Sequence, residues 1–177
     1  MNKNIIQFLC LYLDDLNSYR QCSTYLNKII APIYFKNKKI NVNNINKNNK
    51  HKFRYFAHKY KLSLNLINVK NNNQLLYFSS YNIKSITFAS AYNNDLYNLL
   101  PSSLQHLKFD YEFNQEIKEN VLPSSLRHLK FGYNFNQKIK KNVLPSLLQY
   151  LELYSKCDKR KLLFNTEKLN FKILFYE

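Results

Sequence analysis

A stretch of some two dozen residues in this 177-residue chain returns almost unchanged 22 positions later. LPSSLQHLKFDYEFNQEIKENVLPS is followed by VLPSSLRHLKFGYNFNQKIKKNVLPS, the last four letters of the first copy opening the second. Leu104, Leu107, Phe109, Phe113, Asn114, Ile117, Val121 and Leu122 recur as Leu126, Leu129, Phe131, Phe135, Asn136, Ile139, Val143 and Leu144. A third unit opens with Pro145, Leu148, Leu151 and Leu153 and then degenerates. Upstream, Ile83, Ile86 and Phe88 stand 21 residues earlier, with Tyr92-Asn93 and Leu96 in place of Phe-Asn and Ile. Leu64, Ile67 and Val69 form a fainter copy. A unit this short cannot bury its apolar face alone, so neighbouring units must stack and share one core.

Each unit carries its own local instructions. Leu107-Lys108-Phe109 alternates with a period of two and predicts a strand with two residues turned inward. Leu-Pro-Ser-Ser just before it breaks any helix and turns the chain into the strand. Asp110 and Gly132 follow the strand in successive units; both types tolerate left-handed or turn geometry, which predicts a tight bend there. Phe113 and Ile117 then pack beneath the strand. Asn114, turned inward, would cap the bend, and its stacked copies would form an asparagine ladder. The common period predicts parallel strands near 86–88, 107–109, 129–131 and 151–153. Leu169, Phe171, Ile173 and Phe175 alternate like a terminal strand that caps the stack.

The first third is patterned differently. Ile5, Ile6, Leu9 and Leu13 recur at three and four, then Leu16, Tyr19, Tyr25, Leu26 and Ile29-Ile30, as two short amphipathic helices would. A third helix is expected around Lys50–Tyr60. The run Ile5–Leu13 is far short of the roughly 20 apolar residues that span a bilayer. Asp14 and Asp15 follow it with no small-residue cleavage site, which argues against a secretory signal and gives a cytoplasmic address. The chain therefore divides into residues 1–61, helical with a basic linker, and residues 62–177, the solenoid.

Charge is the other conspicuous feature. The net charge is +16, with Lys supplying all but four of the 27 basic residues. The enriched types, Lys, Asn, Ile, Tyr and Phe, all have A/T-rich codons, so coding bias alone yields such a chain. Between Lys36 and Lys61 nine basic residues meet no carboxylate, and Lys36, Lys38, Lys39, Lys50, Lys52 and Arg54 are the candidates for contact with an acidic partner or nucleic acid.

The unit L-P-x-S-L-x-x-L-x-F-G-x-x-F-N-x-x-I, clearest from Leu122 to Val143, resembles the FNIP repeat, a 22-residue relative of the leucine-rich repeat known mainly from social amoebae and giant DNA viruses that infect amoebae. Asp110 departs from it at the Gly position, as does Cys157-Asp158 at Phe-Asn. The first forty residues resemble an F-box in Ile5-Ile6, Leu13-Asp14-Asp15, Leu16 and Cys22-Ser23 with Lys28, although the family's opening Leu-Pro and its Trp are missing. Together the resemblances imply an α+β chain: an N-terminal helical F-box-like cap followed by a leucine-rich-repeat-like solenoid with a curved parallel β-sheet. They imply that Ile5, Ile6, Leu9, Leu13 and Leu16 dock a Skp1-like adaptor of a cullin ubiquitin ligase, in the host cytoplasm if the protein is viral, while the solenoid, as a monomer, captures a target protein. The plain alternative for the helices is a structural cap on the solenoid.

Catalytic constellations are not found. One glycine cannot make a P-loop, a dinucleotide fingerprint or a nucleophile elbow. Cys10, Cys22 and Cys157 contain no C-x-x-C pair, and reduced thiols are expected. His106 and His128 share a slot in adjacent units, about 5 Å apart across stacked strands, but Tyr150 follows them and no metal is expected. No cofactor is expected either. The candidate target-binding face is the side of the sheet away from the core, with His106, His128 and Tyr150 in one row, Lys108, Lys130 and Glu152 in the next, and Asp110 beyond. Concave faces of this kind are where repeat proteins usually bind. As exposed positions, these side chains should contribute little to stability.

Overall fold

The computed structural model describes residues 39–45, 54, 57–58, 63–154, 162–163 and 170–177. The helical segment read from residues 5–30, with the candidate adaptor residues Ile5 to Leu16, lies outside them, as do Lys36, Lys38, Lys50 and Lys52.

Seven strands form one parallel sheet: β1 (Lys39–Asn41), β2 (Ser63–Val69), β3 (Asn82–Phe88), β4 (His106–Lys108), β5 (His128–Lys130), β7 (Tyr150–Tyr154) and β9 (Lys172–Tyr176), in that spatial order. The 22-residue period appears directly in the register, where Leu107 pairs with Leu129 and Leu129 with Leu151. A second, two-stranded parallel sheet joins β6 (Ile139–Lys140) to β8 (Leu162–Leu163). The expected strand positions and their parallel sense are therefore observed. Strand β1 falls within the stretch assigned to the basic linker, and Val42 and Ala57 join the core.

Inside, every strand contributes to the same columns. Ile83, Leu104, Leu126 and Leu148 form one, Ile86, Leu107, Leu129 and Leu151 the next, and none is more than 2% exposed. The third column is aromatic: Phe88, Phe109 and Phe131 stack with ring centroids 5.1 and 5.4 Å apart and nearly parallel planes. Tyr92, Phe113 and Phe135 form a fourth column beneath it, 3.7–3.8 Å from their partners in the same coil. Stacked aromatic pairs add about 0.5–1.5 kcal/mol each beyond their buried area, so this double column is a major source of cohesion. Every residue buried among those described is apolar or tyrosine.

The turns link successive coils through side chains. In each Leu-Pro-Ser turn the leucine after it, Leu104, Leu126 or Leu148, donates its N–H to the proline carbonyl. Ser103 then donates to the Ile83 carbonyl and Ser125 to that of Leu104, satisfying carbonyls of the preceding coil. The asparagine ladder exists, with Asn93 Oδ1 accepting from the Asn114 N–H and Asn114 Oδ1 from that of Asn136, both at 2.9 Å. It does not turn inward. Asn93 and Asn136 are exposed, and the amides of Gln115 and Gln137 reinforce the ladder from the side.

Three expectations need correction. The tight bend expected after the strand is present, Phe135 N–H donating to the Gly132 carbonyl, but by turn geometry and not left-handed geometry at Asp110 or Gly132; positive φ occurs at Asn68, Asn98 and Asn120. Gly132 is required for space instead, because a Cβ there would lie 1.5 Å from the carbonyl oxygen of Asp110. In the faint copy the inward residues are Leu64, Leu66 and Val69, not Ile67, because left-handed Asn68 inserts an extra residue before Val69 meets Phe88. Between β2 and β3 the chain also forms a helix that the sequence reading did not anticipate, α1 (Asn72–Phe78). Asn71 caps it by accepting from Gln74 N–H, and Leu75 and Phe78 fill the layer that Phe113 and Ile117 occupy elsewhere.

Gly132→Ala should destabilise the protein by about 2–3 kcal/mol, because the obstacle is backbone and one coil must shift relative to the other. Urea unfolding measures this; an unchanged midpoint would show that the coils are not locked together here.

Candidate functional site: the outer face of the sheet

The core pattern dictates what points outward. Between Leu104 and Leu107, both buried, stand two residues rather than one, so Gln105 and His106 both turn away from the core. The hydrogen bonds explain the spacing. The N–H groups of Arg127 and His128 both donate to the Gln105 carbonyl, and those of Gln149 and Tyr150 both donate to that of Arg127, so two successive residues share one acceptor of the neighbouring coil. The outer face thus carries three rows in register. The first is Lys84, Gln105, Arg127 and Gln149. The second is Ser85, His106, His128, Tyr150 and Lys172, and the third is Thr87, Lys108, Lys130, Glu152 and Leu174.

The two candidate rows are placed as the repeat predicts. The rings of His106 and His128 lie 5.1 Å apart, and that of Tyr150 lies 4.4 Å from His128. Burial, then His128 and Arg127, push the His106 imidazole below its usual pKa, so it is neutral at neutral pH. Among the described residues no three His, Cys, Asp or Glu side chains converge on a point where an ion could sit.

The third row is less uniform than its repeat suggests. Lys130 donates to Glu152 at 2.9 Å, with both side chains about one-quarter exposed, and its ammonium lies 3.5 Å above the ring of Tyr176. Glu152 also lies 4.0 Å from His128, and the Tyr176 hydroxyl donates to the Phe131 carbonyl at 2.5 Å. Lys130 therefore clamps the last strand onto the stack, contrary to the expectation that it is merely exposed. Lys108, one coil earlier, is exposed, as is Arg127, while Lys84 is half-buried; none of the three has an ion-pair partner among the described residues. Asp110 is engaged, accepting from the Ser90 hydroxyl at 2.8 Å.

Lys84 and Arg127 were missed because strict alternation would not turn them outward; the L-x-x-L spacing in each unit is the signal that reveals them. A tyrosine row was missed as well. Tyr111 and Tyr133 stack at 4.9 Å within 5° of parallel, followed by Tyr154 at 4.4 Å and Tyr176 at 5.7 Å. Of the basic candidates in the amino-terminal part, Lys39 and Arg54 are described and exposed. Away from the sheet, a shallow recess of 590 Å³ follows the Leu-Pro turns, lined by Asn98, Asn120, Asn142, Leu122 and Leu144. It is open to solvent and carries no charged group.

Lys130→Ser should cost about 1 kcal/mol, because it removes a partly buried ion pair and a cation–π contact together. Lys108→Ser should stay within about 0.5 kcal/mol. Thermal melts distinguish the two, and equal losses would remove the special standing of Lys130.

The FNIP Repeat model matches residues 113–156. The chain is also similar to the crystal structure of CroV588, described as a novel circular LRR protein, with 33% identity over 66% of this chain and a TM-score of 0.53. It spans 18% of the length of that protein. No curated protein matches the chain. The coils of residues 113–156 thus match the FNIP repeat, and the described fold is similar to that of a leucine-rich-repeat protein.

Proposed function

We propose that this protein is a non-catalytic protein-interaction module whose capture surface is the outer face of the sheet. One observation carries the reading: three rows of polar and charged side chains stand in register on a sheet whose inner face is wholly apolar. The inner columns hold the fold, which leaves the outer rows free to vary and to bind. FNIP and leucine-rich repeats are generally interaction scaffolds, in keeping with this reading.

The finer assignment is a substrate receptor. The apolar stripe of Ile5, Ile6, Leu9, Leu13 and Leu16 docks a Skp1-like adaptor, and the solenoid presents a target to the cullin ubiquitin ligase in the cytoplasm. Its support is the helical spacing of that stripe and its resemblance to an F-box.

Leu13→Asp should abolish adaptor binding while the solenoid stays folded, since an unpaired carboxylate buried in such an interface costs several kcal/mol. Co-precipitation with a Skp1-type adaptor, alongside a thermal melt, checks this; loss of folding together with binding would make the helices a structural cap. A photo-crosslinking residue at Lys108 should capture protein partners, and one at Lys118, exposed on another side of the coil, should not. The reverse outcome would move the capture surface off the sheet.

A further inference from the structure

The charges on the outer face are not spread evenly. Lys84, Lys108 and Arg127 surround His106 on strands β3 to β5 and at the entry to β5, with no ion-pair partner among the described residues. On the β7 side the cationic patch ends at Glu152, which is held by Lys130 and lies near His128. Beyond Lys108 it ends at Asp110. Three neighbouring strands span about 10 Å. An extended peptide rises about 3.3 Å per residue, so about four residues cover the patch.

We propose that Lys84, Lys108 and Arg127, grouped about His106, dock a short run of Asp and Glu side chains in an extended segment of a protein partner. This rests on the outer face being the capture surface. Charge complementarity selects the ligand class, because cations with no ion-pair partner among the described residues gain most from carboxylates placed between them. Glu152 and Asp110 border the patch on two sides and favour a short acidic run over a long polyanion laid in either of those directions. Tyr111 and Tyr133, stacked past Lys108, offer exposed ring edges for residues flanking the acidic run.

The site also has a built-in pH response. His106 is flanked by Lys84 and Ser85 from β3, Lys108 on its own strand, Arg127 at the entry to β5, and His128 and Lys130 from β5, with Tyr150 and Glu152 beyond. Its surroundings disfavour the imidazolium in the free protein, and a bound carboxylate favours it. Docking therefore takes up a proton, and affinity rises as pH falls toward 6 while the ligand carboxylates remain ionised.

The test is fluorescence anisotropy of the full chain with a labelled peptide carrying about four consecutive glutamates. A glutamine counterpart and a labelled oligothymidylate are run at the same salt. The expected result is saturable binding of the glutamate peptide alone, weakened at least about tenfold by the pair Lys108→Glu and Arg127→Glu, whose melting temperature should match that of the parent. Binding should tighten from pH of about 7.5 to about 6, and His106→Gln should flatten that dependence. The inference is overturned by equal binding of the glutamine peptide, by undiminished binding after charge reversal, or by tighter binding of oligothymidylate. No glutamate binding with crosslinking retained at Lys108 overturns the ligand class and leaves the capture surface standing; loss of both removes the surface too.

Discussion

The structure depends on one constraint: each coil must set its aromatic and aliphatic side chains directly on those of the coil before. Phe88, Phe109 and Phe131 lie nearly parallel at about the spacing of stacked strands. Ring stacking and backbone hydrogen bonding therefore demand the same translation. A residue gained or lost within a strand sets the two at odds, whereas the loops absorb such a change: the coil from Phe88 to Phe109 is one residue shorter than the next and keeps both stack and register. The ladder of β2 shows how a surplus inside a strand is resolved. Left-handed Asn68 absorbs the surplus residue, and the inward columns resume at Val69 and Phe88. Gly132 expresses the same constraint at the backbone, where the coils approach too closely for a Cβ.

Because stacking supplies the cohesion, the last strand is held differently from the others. The Ile86–Leu151 column continues into Ile173 and the Phe column, through Leu153, into Phe175, but Phe175 is 39% exposed. With less burial to secure it, β9 is held from the outer face by Lys130 on Tyr176 and by the Tyr176 hydroxyl on the Phe131 carbonyl. Burial and Glu152 raise the pKa of the Tyr176 phenol, which keeps that hydroxyl a donor.

Much of this was legible because the repeat is nearly exact in its inner positions. Leu107, Phe109, Phe113 and Ile117 announce strand, column and layer without reference to any other part of the chain. Legibility fails where the period does. Asn71 to Asn73 resembles a turn, yet Asn71 caps α1, because Leu75 and Phe78 can fill the layer only as a helix. The reason for Gly132 was not legible, because a glycine after a strand suggests only turn or left-handed geometry, whereas the restriction comes from Asp110 in another coil. On the outer face, alternation placed His106 and Lys108 correctly but overlooked Lys84 and Arg127. Their direction follows from the two-residue step between buried positions, Ile83 to Ile86 and Leu126 to Leu129.

The division between inner and outer positions also explains how function fits onto such a frame. From β3 to β7 the inner columns scarcely change, because replacing a buried Leu or Phe by something smaller costs about 2–5 kcal/mol. The outer rows change at every step but that from β4 to β5: Ser85, His106, His128, Tyr150 in one, Thr87, Lys108, Lys130, Glu152 in the other. Exposed substitutions typically matter by no more than about 0.5 kcal/mol, so stability leaves these positions free. Register nevertheless places every variant at a fixed distance from the next. A gradient in chemistry along the stack, from cations about His106 without an ion-pair partner among the described residues to paired charge and tyrosine near Tyr176, is then held at strand spacing by the core, and on the proposed reading it is what a partner would meet.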